Sequence, residues 1–163
     1  MMSILSSLMA MVGIVKAEEI TMGAPVPEVS VQTHEGETID LRKEASEGYA
    51  LVYFYPKADT PGCTKQACSL RDAYEKLTEK GVRVFGVSGD DVEAQADFAK
   101  KFDLPFTLLA DPDKKVIKAF GVPAKMGFAK RQAYFFEDGK LIWRDLTAST
   151  EQQAADVLKA IES

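Results

Sequence analysis

Tyr49-Ala50-Leu51-Val52-Tyr53-Phe54-Tyr55 runs without interruption into Pro56-Lys57-Ala58-Asp59-Thr60-Pro61-Gly62-Cys63-Thr64-Lys65-Gln66-Ala67-Cys68. Residues Ala50 to Tyr55 are apolar at every position. That pattern predicts a strand covered on both faces, at the centre of a sheet. From Cys63 onward, Ala67, Leu70, Tyr74 and Leu77 recur at helical spacing, and Lys80-Gly81 supplies a stop. The chain's two cysteines, Cys63 and Cys68, therefore sit where a central strand hands over to a helix. A thiol at a helix N-terminus meets backbone N–H groups that lack helical acceptors and the positive end of the helix dipole. Both favour the thiolate, the reactive form.

Upstream, Val29 to Thr33 and Thr38 to Leu41 alternate around the turn His34-Glu35-Gly36-Glu37, which predicts a β-hairpin with a solvated His34. Downstream, Val82 to Ser88 reads as a strand, Val92 to Phe102 as a helix and Phe106 to Leu109 as a short strand. A short helix is expected between Asp111 and Gly121, then a loop from Val122 to Lys130. Gln132 to Phe136 and Leu141 to Leu146 flank Asp138-Gly139, a strong hairpin signal, and Ser149 or Thr150 caps a final helix. This order predicts an α/β, thioredoxin-like core: a central mixed sheet flanked by helices, with an N-terminal β-hairpin. Active sites of such sheets lie beyond the carboxyl ends of the strands, which is where Cys63 falls.

With 163 residues, one domain is expected. A net charge of −5 without a basic block argues against nucleic acid or an anionic membrane surface as partner. Met1 to Val15 is apolar and small, with no charged side chain, and Val15-Lys16-Ala17 resembles a small-x-small cleavage site. Its apolar run, Ile4 to Val15, is shorter than the roughly 20 residues of a spanning helix. Residues 1–17 are read as a signal peptide and 18–163 as the mature domain, periplasmic or secreted, the alternative being cytoplasmic.

Four residues separate Cys63 from Cys68, where a disulfide exchanger of the Cys-x-x-Cys type has two. A zinc site needs about four ligands, and His34 is the chain's only histidine. In a continuous helix the two cysteines lie about 7.5 Å apart along the axis and about 140° apart around it. Cα atoms of a disulfide are rarely more than about 7 Å apart. The folded helix and a Cys63–Cys68 bond thus exclude each other, which suits a switching pair better than a permanent clamp. A static structural disulfide, and a thiol–disulfide oxidoreductase acting on exported proteins, stay open as alternatives.

A cysteine that reduces peroxide needs donors for the bound peroxide and a cation for the leaving oxygen. Thr60 and the N–H groups near Gly62 and Cys63 can donate, while Pro56 and Pro61 shape and shield the loop. Arg131, at the mouth of the Gln132 strand, is the candidate cation. Arg71-Asp72 reads as a supporting pair, Met126 and Phe128 as pocket or packing residues, and Trp143 as core or a half-exposed aromatic.

Pro56-x-x-x-Thr60-x-x-Cys63 resembles the peroxiredoxin signature. The fuller run from Phe54 to Cys68, with Arg71-Asp72, resembles the bacterioferritin-comigratory or Q-type peroxiredoxins, as do Phe85 to Ser88, Phe106 to Asp111 and Phe120 to Val122. The resemblance implies a peroxiredoxin fold and reduction of hydrogen peroxide and organic hydroperoxides without a metal or other cofactor. By position, it makes Cys63 the peroxidatic cysteine and Cys68 the resolving one, with Pro56, Thr60 and Arg131 completing the site. It further implies a thioredoxin or thioredoxin-like reductant and a monomer. In an exported protein that reductant would be periplasmic, and the mature form would not engage a membrane.

Overall fold

The computed structural model describes residues 19–162, so the expected leader, 1–17, lies outside the described residues. The chain opens with β1 (Ser30–Thr33), β2 (Thr38–Asp40) and a single turn, α1 (Leu41–Glu44). Then follow β3 (Tyr49–Phe54), α2 (Pro61–Asp72), α3 (Tyr74–Glu79), β4 (Val82–Ser88) and α4 (Val92–Lys101). The second half comprises β5 (Thr107–Ala110), α5 (Lys115–Ala119), β6 (Ala124–Lys125), β7 (Phe128–Ala129), β8 (Gln132–Glu137), β9 (Lys140–Asp145) and α6 (Gln153–Glu162).

Seven strands form one mixed sheet in the order β2-β1-β5-β4-β3-β8-β9. β3, β4 and β5 are parallel, and antiparallel strands flank them on both sides. The unbroken apolar run of β3 has the predicted consequence. Leu51 and Tyr53 face a core closed by α2, α3, α4 and α6. Ala50, Val52 and Phe54 face a second core closed by α1 and α5. Close packing leaves no slack at β4. A Cβ on Gly86 would stand 2.7 Å from the Tyr53 hydroxyl and 2.8 Å from Leu108, far inside contact distance.

Three local expectations are corrected. The helix expected to run on past Tyr74 is two helices joined at Ala73 (φ −95°, ψ 2°). The bend leaves Cys63, Ala67 and Leu70 of α2 on the sheet, while Tyr74 turns its ring toward Phe106, centroids 6.1 Å apart. The expected loop 122–130 contains the tight hairpin β6–β7, with Met126 (φ 54°) and Gly127 (φ 85°) as its two turn residues. Two consecutive positive φ values are what a type I′ turn needs. Met-Gly lacks the Asn-Gly or Asp-Gly signal that marks such a turn, whereas Asp138-Gly139 carries it and joins β8 to β9 as expected. His34 is not a solvated turn residue: its Nδ1 accepts a hydrogen bond from the Leu108 N–H at 3.1 Å, and the His34 N–H donates to the Leu108 carbonyl at 2.8 Å. It ties β1 to β5.

No helix among the described residues is long and apolar enough to cross a membrane.

Candidate active site

Cys63 lies in the first turn of α2, just beyond the C-terminal end of β3. The helix starts where the sequence directs it. Pro61 has its ring-fixed φ at the first helical position and no N–H to leave unpaired. The N–H groups of Gly62 and Cys63 have no helical acceptor there and point out of the N-terminus. Both cysteines are free thiols; Cys63 is 1% exposed and Cys68 half-buried. Cys68 is one and a half turns further along the same continuous helix, so the present state is the reduced one.

Arg131 reaches Cys63 across 68 positions of sequence because of sheet register. β8 runs antiparallel to β3, with Gln132 opposite Phe54 and Ala133 opposite Tyr53. Arg131, one residue before β8, is thereby set beside the exit of β3. Its Nη2 lies 3.5 Å from Cys63 Sγ, and its Nη1 donates to Gln66 Oε1. Gly62 makes the approach possible, since a Cβ there would stand 2.9 Å from Nη2. Arg144, the other arginine near this end of the sheet, is directed elsewhere: its Nη1 donates to the Ile20 carbonyl at 2.7 Å.

The loop that carries Pro56 and Thr60 is anchored from the neighbouring strand. Asp90, after β4, accepts from the Ala58 N–H at 2.8 Å and from the Ser88 hydroxyl at 2.6 Å. Asp59 takes a left-handed φ of 61° and pairs with Lys101 at 2.8 Å. Thr60 donates its hydroxyl proton to the Lys57 carbonyl at 2.7 Å, so its oxygen is left as an acceptor. The Thr60 hydroxyl proton is thus already engaged and does not point toward Cys63 as the expected donor role would require. Pro56 lines a groove of 420 Å³ with Pro123, Ala124, Lys125, Phe128, Ala129 and Lys130. Pro61 is exposed, so shielding of Cys63 comes from the core beneath α2. Met126 is 88% exposed at the hairpin tip. Arg71 has the supporting role expected: it donates to the Phe102 carbonyl at 2.8 Å and pairs with Asp72.

Beneath the helix, Tyr53 and Tyr55 are held fully protonated by burial, with their ionisation pushed well upward. Tyr55 donates to Gln95 at 2.6 Å. The larger cavity of 560 Å³ lies between β9 and α6, lined by Tyr49, Trp143 and Lys159 among others, and Cys63 is not part of its lining. No group of three or more His, Cys, Asp or Glu side chains among the described residues is arranged to hold a metal.

Gln66, Asp90 and Gln153 were not singled out by the sequence. Gln66 had a findable signal, three residues after Cys63 on the same helical face. Asp90 and Gln153 had none, because their roles arise from long-range packing.

A buried thiol at a helix start on a thioredoxin-like sheet, with a guanidinium above it, defines a class of cysteine-centred redox proteins. Residues 22–144 match the AhpC/TSA family. The chain belongs to that family, on its peroxiredoxin Q branch. It is 36% identical to the chloroplastic peroxiredoxin Q of Gentiana triflora over 150 residues, 89% of this chain and 68% of that protein. It is 46% identical to the chloroplastic peroxiredoxin Q of Sedum lineare over 108 residues, 66% of this chain but only 58% of that protein's length. Among solved structures, peroxidoxin BcpB from Mycobacterium tuberculosis superposes with a TM-score of 0.82 at 29% identity, over 88% of this chain and 97% of that one. Peroxiredoxin Q of Xanthomonas campestris, at 24% identity and a TM-score of 0.78, shares the fold.

Proposed function

We propose that this chain is a thiol peroxidase that reduces hydrogen peroxide and organic hydroperoxides. The observation that carries the reading is the Arg131 guanidinium 3.5 Å from a buried Cys63 at the start of α2. The Cys63 thiolate attacks one peroxide oxygen, the O–O bond breaks, and the departing alkoxide or hydroxide takes a proton. Cys63 becomes a sulfenic acid. Arg131 and the N–H groups of Gly62 and Cys63 stabilise the negative charge on the leaving oxygen, and the Thr60 oxygen accepts from the peroxide O–H. Pro56 sets the course of the loop. The Cys68 thiol then attacks the sulfenic sulfur, the S–O bond breaks and water leaves. The resulting Cys63–Cys68 disulfide is reduced by an external dithiol, a thioredoxin or a thioredoxin-like protein.

That second step requires α2 to unwind, since Gln66 and Ala67 now hold the cysteines on different faces of the helix. Burial of Cys63 counts against the alternative, a disulfide exchanger acting on exported proteins, which needs a sulfur that a folded substrate can reach. Peroxide consumption by the reduced protein with a thioredoxin system, compared with Cys63→Ser, tests the reading. Turnover lost in the variant supports it; equal turnover overturns it.

The leader composition supports export with cleavage after Ala17 to a periplasmic or secreted domain, although the plant relatives named above are chloroplastic, and the resemblance to peroxiredoxin Q supports a monomer. N-terminal sequencing of the protein from its native host is expected to begin at Glu18; an intact Met1 would contradict cleavage after Ala17.

A further inference from the structure

Arg131 does not hold its position alone. The segment after β9 crosses the start of α2. There the Ser149 carbonyl accepts from Gln153 Nε2 at 3.2 Å, and Gln153 Oε1 accepts from Gln66 Nε2 at 2.9 Å. Gln66 Oε1 accepts from Arg131 Nη1, and Arg131 Nη2 reaches Cys63 Sγ. Both glutamines are buried, at 1% and 2% exposure. The chemistry of the two ends fixes every amide in between. A carbonyl only accepts, so Gln153 must present Nε2 to Ser149 and Oε1 to Gln66. A guanidinium only donates, so Gln66 must present Oε1 to Arg131 and Nε2 to Gln153. One orientation satisfies all four groups.

We infer that Gln153 is a positioning residue for Cys63 chemistry, acting through Gln66 on the Arg131 guanidinium. The inference rests on the peroxidase reading for its biological sense, though not for its geometry. The surrounding bonds brace the same relay. Ser149 Oγ accepts from the N–H groups of Glu151 and Gln152 at 3.1 and 3.3 Å. Ala148 N–H donates to the Arg131 carbonyl at 3.0 Å. Lys65 pairs with Glu151, and the Ser69 hydroxyl donates to the Glu151 carbonyl at 3.3 Å. Lys65, Gln66 and Ser69 all lie in or beside the segment between the two cysteines. The relay is therefore complete only while α2 is folded. Disulfide formation carries Gln66 away, and reduction followed by refolding restores Arg131 to its place. The titratable groups that sense Cys63 from the sheet below are Tyr53 and Tyr55; Tyr53 also senses the Arg131 charge, but neither phenol hydrogen-bonds to the guanidinium.

The test uses Gln153→Leu and the double variant Gln66→Leu/Gln153→Leu. Alkylation of Cys63 by iodoacetamide is followed across pH in a Cys68→Ser background, and peroxide consumption in the intact cysteine pair. Gln153→Leu leaves the buried Gln66 Nε2 without an acceptor, so that Gln66 and the Arg131 guanidinium it holds shift together; the peroxide rate is expected to fall about tenfold, in line with the cost of small displacements of catalytic groups. The alkylation profile is expected to move to higher pH. The double variant leaves no buried amide unpaired, so it regains thermal stability, but its rate stays low and its profile stays shifted. Wild-type rate and profile in either folded variant would overturn the inference, and recovery in the double variant would reduce the glutamines to packing. Shifted alkylation in a protein whose wild type consumes no peroxide would sustain the relay while removing the peroxidase reading.

Discussion

At the scale of single residues, the site depends on one guanidinium and the space made for it. Arg131 Nη2 has a 3.5 Å contact with Cys63 and would be 2.9 Å from any side chain begun at position 62. Gly62→Ala therefore displaces the guanidinium without touching the thiol, and is expected to slow peroxide reaction about tenfold in stopped-flow measurements while the melting temperature stays close to wild type. Arg131→Met removes the charge altogether; a loss of about 100- to 1,000-fold is expected, comparable with the loss of one oxyanion donor. The approach of Arg131 to Cys63 was legible because a cysteine at a helix start and an arginine at a strand mouth are chemically distinctive residues. Gln66 could have been picked out only by its place one turn after Cys63, and Gln153 not at all, because an amide is ordinary in sequence and acquires meaning only from the partner it faces. The Thr60 hydroxyl was legible in place but not in direction, since only the structure gives its donation to Lys57.

At the scale of elements, α2 supports the thiol and, under the proposed Cys63–Cys68 disulfide, is also the part that gives way. Its first turn presents Cys63, and its second and third turns bury Ala67 and Leu70 against the sheet. Unwinding from Cys63 to Cys68 also breaks the contact of Lys65 with Glu151, before α6, and that of Gln66 with Gln153, at the start of α6. Oxidation of the wild type by one equivalent of peroxide is thus expected to lower helical circular dichroism. Cys68→Ser is expected to keep its helix and accumulate sulfenic acid, detectable with a dimedone-type probe. Unchanged helicity on wild-type disulfide formation would contradict the unwinding step. The sequence located every strand of the main sheet to within a residue or two, because β3 is apolar on both faces and Asp138-Gly139 is an unmistakable turn. It missed the bend at Ala73 and the β6–β7 hairpin. The apolar spacing 70, 74, 77 is continuous through the bend, and a two-residue strand is too short to show alternation.

At the scale of the whole molecule, buried phenols on β3 and β8 link stability to pH. The Tyr134 hydroxyl donates to Gln132 at 2.6 Å, and burial, with Glu19 nearby, pushes its pKa up to about 12 from an ordinary value of 10.0. Tyr53 and Tyr55 are pushed upward by burial as well. An unfolded chain releases these protons near pH 10 while the folded chain retains them. The stability they contribute is fully present below that pH and is lost as pH rises toward and through the folded values. Urea unfolding between about pH 10 and about pH 12 is expected to show a steep decline, and Tyr134→Phe to remove about 1.4 kcal/mol per pH unit from its slope. A flat profile over that range would show that the phenols are reached by water in the folded state.

The proposal that joins these scales is that Cys63 is a peroxide-reactive thiol resolved by Cys68. Its most direct test is to add one equivalent of hydrogen peroxide to the fully reduced protein, following the reaction by stopped flow and the product by intact mass and thiol titration. Reaction far faster than that of a free thiol, loss of both thiols and a mass lower by a pair of hydrogen atoms is the expected result. Oxidation no faster than that of an unactivated thiol, or a product that retains the Cys68 thiol beside an oxidised Cys63, would contradict it.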